Sequence, residues 1–168
     1  MKTLLLLRHA KSDWDDPSLQ DFDRPLAARG ERDAPQIGKA LRKRGDTLPD
    51  LIISSPAARA KATVKAVVKA AKVDTHIQYD DAIYGASSAE LMKLVNRMPD
   101  VSSCAMLVGH NPGFEDLVGR LSGSHERMPT AALARLEFQV NSWSEVGEEE
   151  GKLVWLLTPK QLKAKKDD

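Results

Sequence analysis

Apolar residues in this chain fall into two patterns. Short unbroken runs, TLLLL (3–7), LIIS (51–54), CAMLV (104–108) and LVWLL (153–157), alternate with stretches where apolar positions recur every third or fourth residue. Runs of four to five residues with turn formers beside most of them suit strands buried on both faces of a parallel sheet. The periodic stretches suit helices. From Glu31 to Arg44 the positions Ala34, Ile37, Gly38 and Leu41 share one face, most of the charges lie on the other, and Gly45 follows as a stop. A second helix is expected from Ser55-Pro56, serine as N-cap and proline at the first helical position, to about Ala71. A third is expected over about Ser88 to Arg97 and a fourth over about Pro112 to Leu121. Residues 131–138 (AALARLEF) and the strand at 153–157 flank a polar loop containing EEEG, which predicts a closing antiparallel hairpin. Strand and helix alternate, so the fold class is α/β: a three-layer α/β/α sandwich around a mainly parallel sheet.

Composition narrows the partners. The 168 residues read as one domain over 1–160, followed by a charged tail, 161–168, whose KAKKDD end is expected to fray. A net charge of +1 supplies no general attraction for nucleic acid or an anionic membrane, so neither is expected as a partner and any anion site must be local. The single cysteine, Cys104, starts an apolar run and reads as a packed core residue in a reducing compartment. No apolar stretch is long enough to span a bilayer. The N-terminal run stops at Arg8 with no small-residue cleavage site after it, so no signal peptide and a cytoplasmic location are expected.

Candidate chemistry gathers where the strands end. In open α/β sheets, ligands bind outside the carboxyl ends of the strands. The first strand ends in Arg8-His9; the second runs into SSPAARAKAT, with Arg59 in the first turn of a helix; CAMLV runs into GHNPG, with His110 between strand and helix. Three strands thus deliver two arginines and two histidines to one edge. Guanidinium forks match phosphate oxygens, and an imidazole can act as nucleophile, acid or base near neutral pH. A metal held by His9 and His110 with Asp13 or Asp81 is the competing reading. Two arginines would repel that cation, and neither HxH nor HExxH spacing occurs. No metal and no cofactor are expected.

These residues carry a resemblance. RHA after the first strand, the arginine of SSPxxRAxxT, GHNP after a late strand, and DRPLAARG (23–30) resemble the histidine phosphatase superfamily, also called phosphoglycerate mutase-like, in its SixA-type phosphohistidine phosphatase branch. The likeness runs from Leu4 to about Pro159. It implies that His9 is a nucleophile that becomes transiently phosphorylated. It implies that Arg8 and Arg59 hold phosphoryl oxygens and that His110 completes the pocket. It also implies one antiparallel strand near a sheet edge. Ala10 stands where the superfamily's commonest form has glycine.

Other residues keep two readings each. Asp81, in DAIYG, stands where larger members of the superfamily carry a general acid, and it is equally a loop aspartate. Arg24 either touches substrate or pairs with Asp21 or Asp23. Ser12 and Asn111 either donate to a phosphoryl oxygen or serve as loop and capping residues. His76 and His125 read as surface residues, Trp14 as a rim residue, and Trp143 and Trp155 as hairpin packing. The reading favoured is a phosphohistidine phosphatase acting on a phosphorylated protein through an intermediate on His9. A phosphatase for small phosphate esters and a non-catalytic phosphate-recognition module are the alternatives.

Overall fold

The N-terminal run forms β1 (Lys2–Arg8), near the middle of a six-stranded sheet. The computed structural model describes residues 1–167. After β1 come α1 (Ala28–Arg44), β2 (Leu51–Ser54), α2 (Ala58–Ala71), β3 (Ile77–Tyr79), α3 (Ser88–Asn96), β4 (Cys104–Gly109), α4 (Gly113–Ser122), β5 (Leu133–Phe138), β6 (Lys152–Leu157) and α5 (Pro159–Asp167). The spatial order is β3-β2-β4-β1-β5-β6. The first four strands in that order are mutually parallel, and β5 runs against both of its neighbours.

Because side chains alternate along a strand, β1 feeds both layers. Leu4 and Leu6 join a core cluster with Leu117, Val118 and Leu121 of α4 and Leu91 and Val95 of α3. Leu5 and Leu7 face the opposite way, into a cluster with Ile37 and Leu41 of α1 and Val64 and Val67 of α2. All four leucines are fully buried. This is the three-layer sandwich expected. Cys104 is buried as expected, and burial pushes its thiol up to about 12. Trp143 is also buried; it lies in a 3-10 turn between β5 and β6, and its indole N–H donates to the carbonyl of Ser102 at 2.9 Å.

Two expectations fail. Ser55 does not cap α2 and Pro56 does not open it: the helix begins at Ala58 after Ala57, and the Ser55 hydroxyl accepts from the amide of Ala57 and meets Nε2 of His110. The KAKKDD tail does not fray as a whole, because α5 continues to Asp167; Asp168 lies outside the described residues. Leu162 packs against the α1–α2 core cluster and Lys163 lies 3.5 Å from Asp33, which gives this charged helix a seat. Among the described residues, no helix is long and apolar enough to cross a membrane.

Candidate active site

The strand end that carries Arg8 and His9 is pinned from both sides. The amide of His9 donates to Gly109 of β4, the amide of Arg8 donates to Ala132, and the carbonyl of His9 accepts from Ala131, all at 2.9–3.0 Å. The next amide, that of Ala10, donates to Oγ1 of Thr63, which itself donates to the carbonyl of Arg59 one turn earlier in α2. Thr63 therefore ties the helix carrying Arg59 to the strand carrying His9. The loop after β1 is held by a close approach: a Cβ on Gly30 would collide with the backbone oxygen of Lys11. Ala27 also donates to that oxygen.

These restraints bring all four expected residues together. The rings of His9 and His110 lie 5.1 Å apart, centroid to centroid. His9 is 7% exposed, as is Arg59. Nδ1 of His9 stands 2.7 Å from the carbonyl oxygen of Ala10, which can only accept, so Nδ1 carries the proton. Burial lowers the His9 pKa to about 4; the Ala10 hydrogen bond opposes this, and Arg59 and Arg8 add to it. The ring is therefore neutral near pH 7, with its lone pair on Nε2. His110 is lowered to about 3, chiefly by burial and then by the neighbouring His9. Its Nε2 is 2.8 Å from the Ser55 hydroxyl, and its Nδ1 is buried without a protein partner.

The arginines are held by hydrogen bonds from the protein. Arg8 donates from Nη1 to the carbonyl of Met128 at 2.9 Å, while its Nε is buried and unpartnered. Burial lowers the Arg8 pKa, with Glu115 opposing. Arg59 donates from Nη1 to the carbonyl of Asp21 (2.6 Å) and from Nη2 to its carboxylate (3.0 Å). Tyr84 donates to the same carboxylate oxygen at 2.6 Å and sets its ring edge-on to His110, with centroids 5.5 Å apart. The Tyr84 hydrogen bond, with Arg59 behind it, holds the Asp21 carboxyl below the usual range. Such a cluster, two guanidiniums and two neutral imidazoles, can hold a phosphoryl group and present it to a nucleophile. Among the described residues, no group of three or more His, Cys, Asp or Glu side chains is placed to hold a metal ion.

The remaining expectations divide. Asn111 is occupied: its amide donates to Glu115 and to the carbonyl of Met128, and its oxygen accepts from the amide of Glu115. Both amide hydrogens of this residue, in the loop that precedes α4, are spent. Arg24 pairs with neither Asp21 nor Asp23 through its side chain. It stacks on Trp14, 4.0 Å from the ring centroid, with Nε and Nη1 buried and unpartnered. Ser12 is buried in the loop after β1, bridged to Leu26. Asp81 is exposed at the start of a 3-10 turn, and its side chain hydrogen-bonds none of the four central residues. His76 and His125 are exposed.

Sequence reasoning missed Ser55, Thr63, Asp21, Tyr84 and Glu115. Ser55 and Thr63 had a signal, since both stand in SSPxxRAxxT; Asp21, 38 residues from Arg59, had none.

Comparison places the chain among known proteins. The model of the histidine phosphatase superfamily (branch 1) matches residues 4–85. An uncharacterised chloroplastic protein of Arabidopsis thaliana is 36% identical, over 93% of this chain and 75% of its own length. An uncharacterised protein of Mycobacterium tuberculosis is 32% identical, over 83% and 91%. The solved structure of a candidate phosphohistidine phosphatase, SixA, from Agrobacterium tumefaciens is 32% identical, covers 94% of this chain and 98% of its own, and superposes with a TM-score of 0.81. The chain belongs to the histidine phosphatase superfamily. It is a phosphatase of the SixA-like branch.

Proposed function

We propose that this protein is a phosphohistidine phosphatase that works through a phosphorylated His9. The observation that carries the reading is the state of His9: buried, neutral, Nδ1 bound to the Ala10 carbonyl, Nε2 left with its lone pair, and Arg59 and Arg8 near enough to act on the ring electrostatically. A nucleophile needs that lone pair at neutral pH, and here no base has to remove a proton first. Nε2 attacks phosphorus, the bond to the leaving group breaks, and the phosphoryl oxygens stay with Arg8 and Arg59. His110, its ring 5.1 Å from that of His9 and its Nδ1 without a protein partner, completes the pocket. Water then cleaves the P–Nε2 bond and releases phosphate. Positioning and fixed positive charge supply most of the rate, since a phosphoryl transition state spreads its charge over the peripheral oxygens.

The proposed substrate class is a phosphoryl group on a protein histidine. The similarity to the Agrobacterium protein supports it. So does an accessible rim, where Trp14 is 59% and Tyr84 37% exposed. The test is a panel in which a phosphohistidine-bearing protein domain, phosphoramidate and alkyl phosphates compete. Preference for P–N over P–O alkyl bonds by at least about tenfold in kcat/KM, a difference of roughly 1.4 kcal/mol in barrier, is expected. Equal use of alkyl esters would return the protein to the small-ester reading.

A further inference from the structure

Breaking the phosphoenzyme requires a water molecule to be held on the face of phosphorus opposite His9. The carboxylates near the pocket can be compared for that task. Glu115 spends Oε2 on the Asn111 amide and on the backbone N–H of Met128. Asp81 is exposed and joined to none of the central residues. Asp21 differs from both. Its Oδ2 accepts from Arg59 and Tyr84, while its Oδ1 accepts from no described residue. The side chain is 46% exposed, so water reaches it. It also acts electrostatically on both His9 and His110. Arg59, which is assigned to phosphoryl oxygens, donates to Asp21 through Nη2, so the carboxylate stands one guanidinium away from the place assigned to the phosphoryl group.

We propose that Asp21 is a further catalytic residue, one that holds the attacking water and takes its proton in the second step; the proposal rests on the phosphohistidine reading above. The water oxygen bonds to phosphorus while the P–Nε2 bond breaks, and the bonding pair returns to His9. The water proton passes to Asp21, which gives it up to solvent as phosphate leaves. Tyr84 and Arg59 fix the carboxylate in place and keep it ionised, so it accepts from water in the resting enzyme. A weak base suffices here, because a loose, metaphosphate-like transition state needs little deprotonation of the nucleophile. The same ionised state makes Asp21 a poor donor to an alkoxide. The pocket is thereby matched to leaving groups that depart without an enzyme proton, as a phosphoryl-imidazole already protonated on its ring does.

The experiment is rapid-quench kinetics on the full chain with phosphoramidate and p-nitrophenyl phosphate, comparing wild type with Asp21→Asn and Asp21→Glu. Asp21→Asn is expected to keep a burst rate within about threefold of wild type while its steady-state rate falls by roughly 10²-fold, the low end for a positioned proton acceptor. The variant then accumulates phosphohistidine, visible by 31P NMR, and Asp21→Glu recovers part of the steady-state rate. Wild-type turnover in Asp21→Asn overturns the proposal. A burst rate that falls together with vanadate affinity also overturns it, since Asp21 would then only place Arg59. If wild type itself forms no phosphoenzyme, the phosphohistidine mechanism fails; if it does and Asp21→Asn hydrolyses it normally, only the role of Asp21 fails.

Discussion

Acid should unfold this protein through its active site. His9 and His110 are lowered by burial to about 4 and about 3, whereas an imidazole in the unfolded chain titrates near 6.5. Below pH 6.5, then, the unfolded chain binds protons that the folded chain refuses. Stability is fully present above that value and is lost as the pH falls toward the folded values. Between pH 7 and 5 the unfolded chain gains about three-quarters of a proton per site, which costs roughly 2 kcal/mol for each histidine, or roughly 4 kcal/mol for the pair. That is a large share of a typical stability of about 5–15 kcal/mol. The lowered carboxylates Asp16, Asp21, Asp46 and Asp100 titrate from below their ordinary range, so they add their loss at lower pH. Urea unfolding at pH 7, 6 and 5 measures the effect, and His9→Gln isolates it. The variant should lose about half as much stability over that range as wild type, roughly 2 kcal/mol less, whatever its stability at pH 7. A flat wild-type profile, or equal losses in both proteins, would refute the assignment of a neutral, buried His9.

Two shorter predictions follow from the same geometry. EDTA should leave phosphatase activity unchanged, because guanidinium groups occupy the place a divalent ion would take; loss on chelation, restored by a divalent metal, would contradict this. Asp81→Asn should change alkyl and aryl phosphate hydrolysis alike and by less than about threefold; a drop of roughly 10²–10⁴ confined to alkyl esters would make Asp81 the general acid.

The fold was largely legible because its signals are local. Four apolar runs became β1, β2, β4 and β6 with bounds shifted by at most a residue, and Gly45 ended α1 in a left-handed conformation as expected. The central site was legible for a related reason: each of its four residues stands at the junction of a strand with the loop or helix that follows. What was hidden depends on distant contacts. Ser55 satisfies the local signature of an N-cap, yet α2 starts three residues later and His110, 55 residues away, shares the hydroxyl with the Ala57 amide. Asp21 sits in a stretch with several aspartates, and only folding selects it as the partner of Arg59 and Tyr84. The helix at the C-terminus escaped notice because its sequence is mostly charged and its anchors, Leu162 and the Asp33–Lys163 contact, depend on α1 being in place.

The central claim is that His9 carries the phosphoryl group, and direct trapping tests it. Wild-type protein mixed with radiolabelled phosphoramidate and quenched in alkali should hold label in a form stable to base and released by acid. Digestion should place that label on the peptide containing His9. His9→Ala should show neither label nor turnover, yet should still bind vanadate through Arg8 and Arg59. Turnover by wild type without any trapped label, or label that survives His9→Ala, would contradict the account.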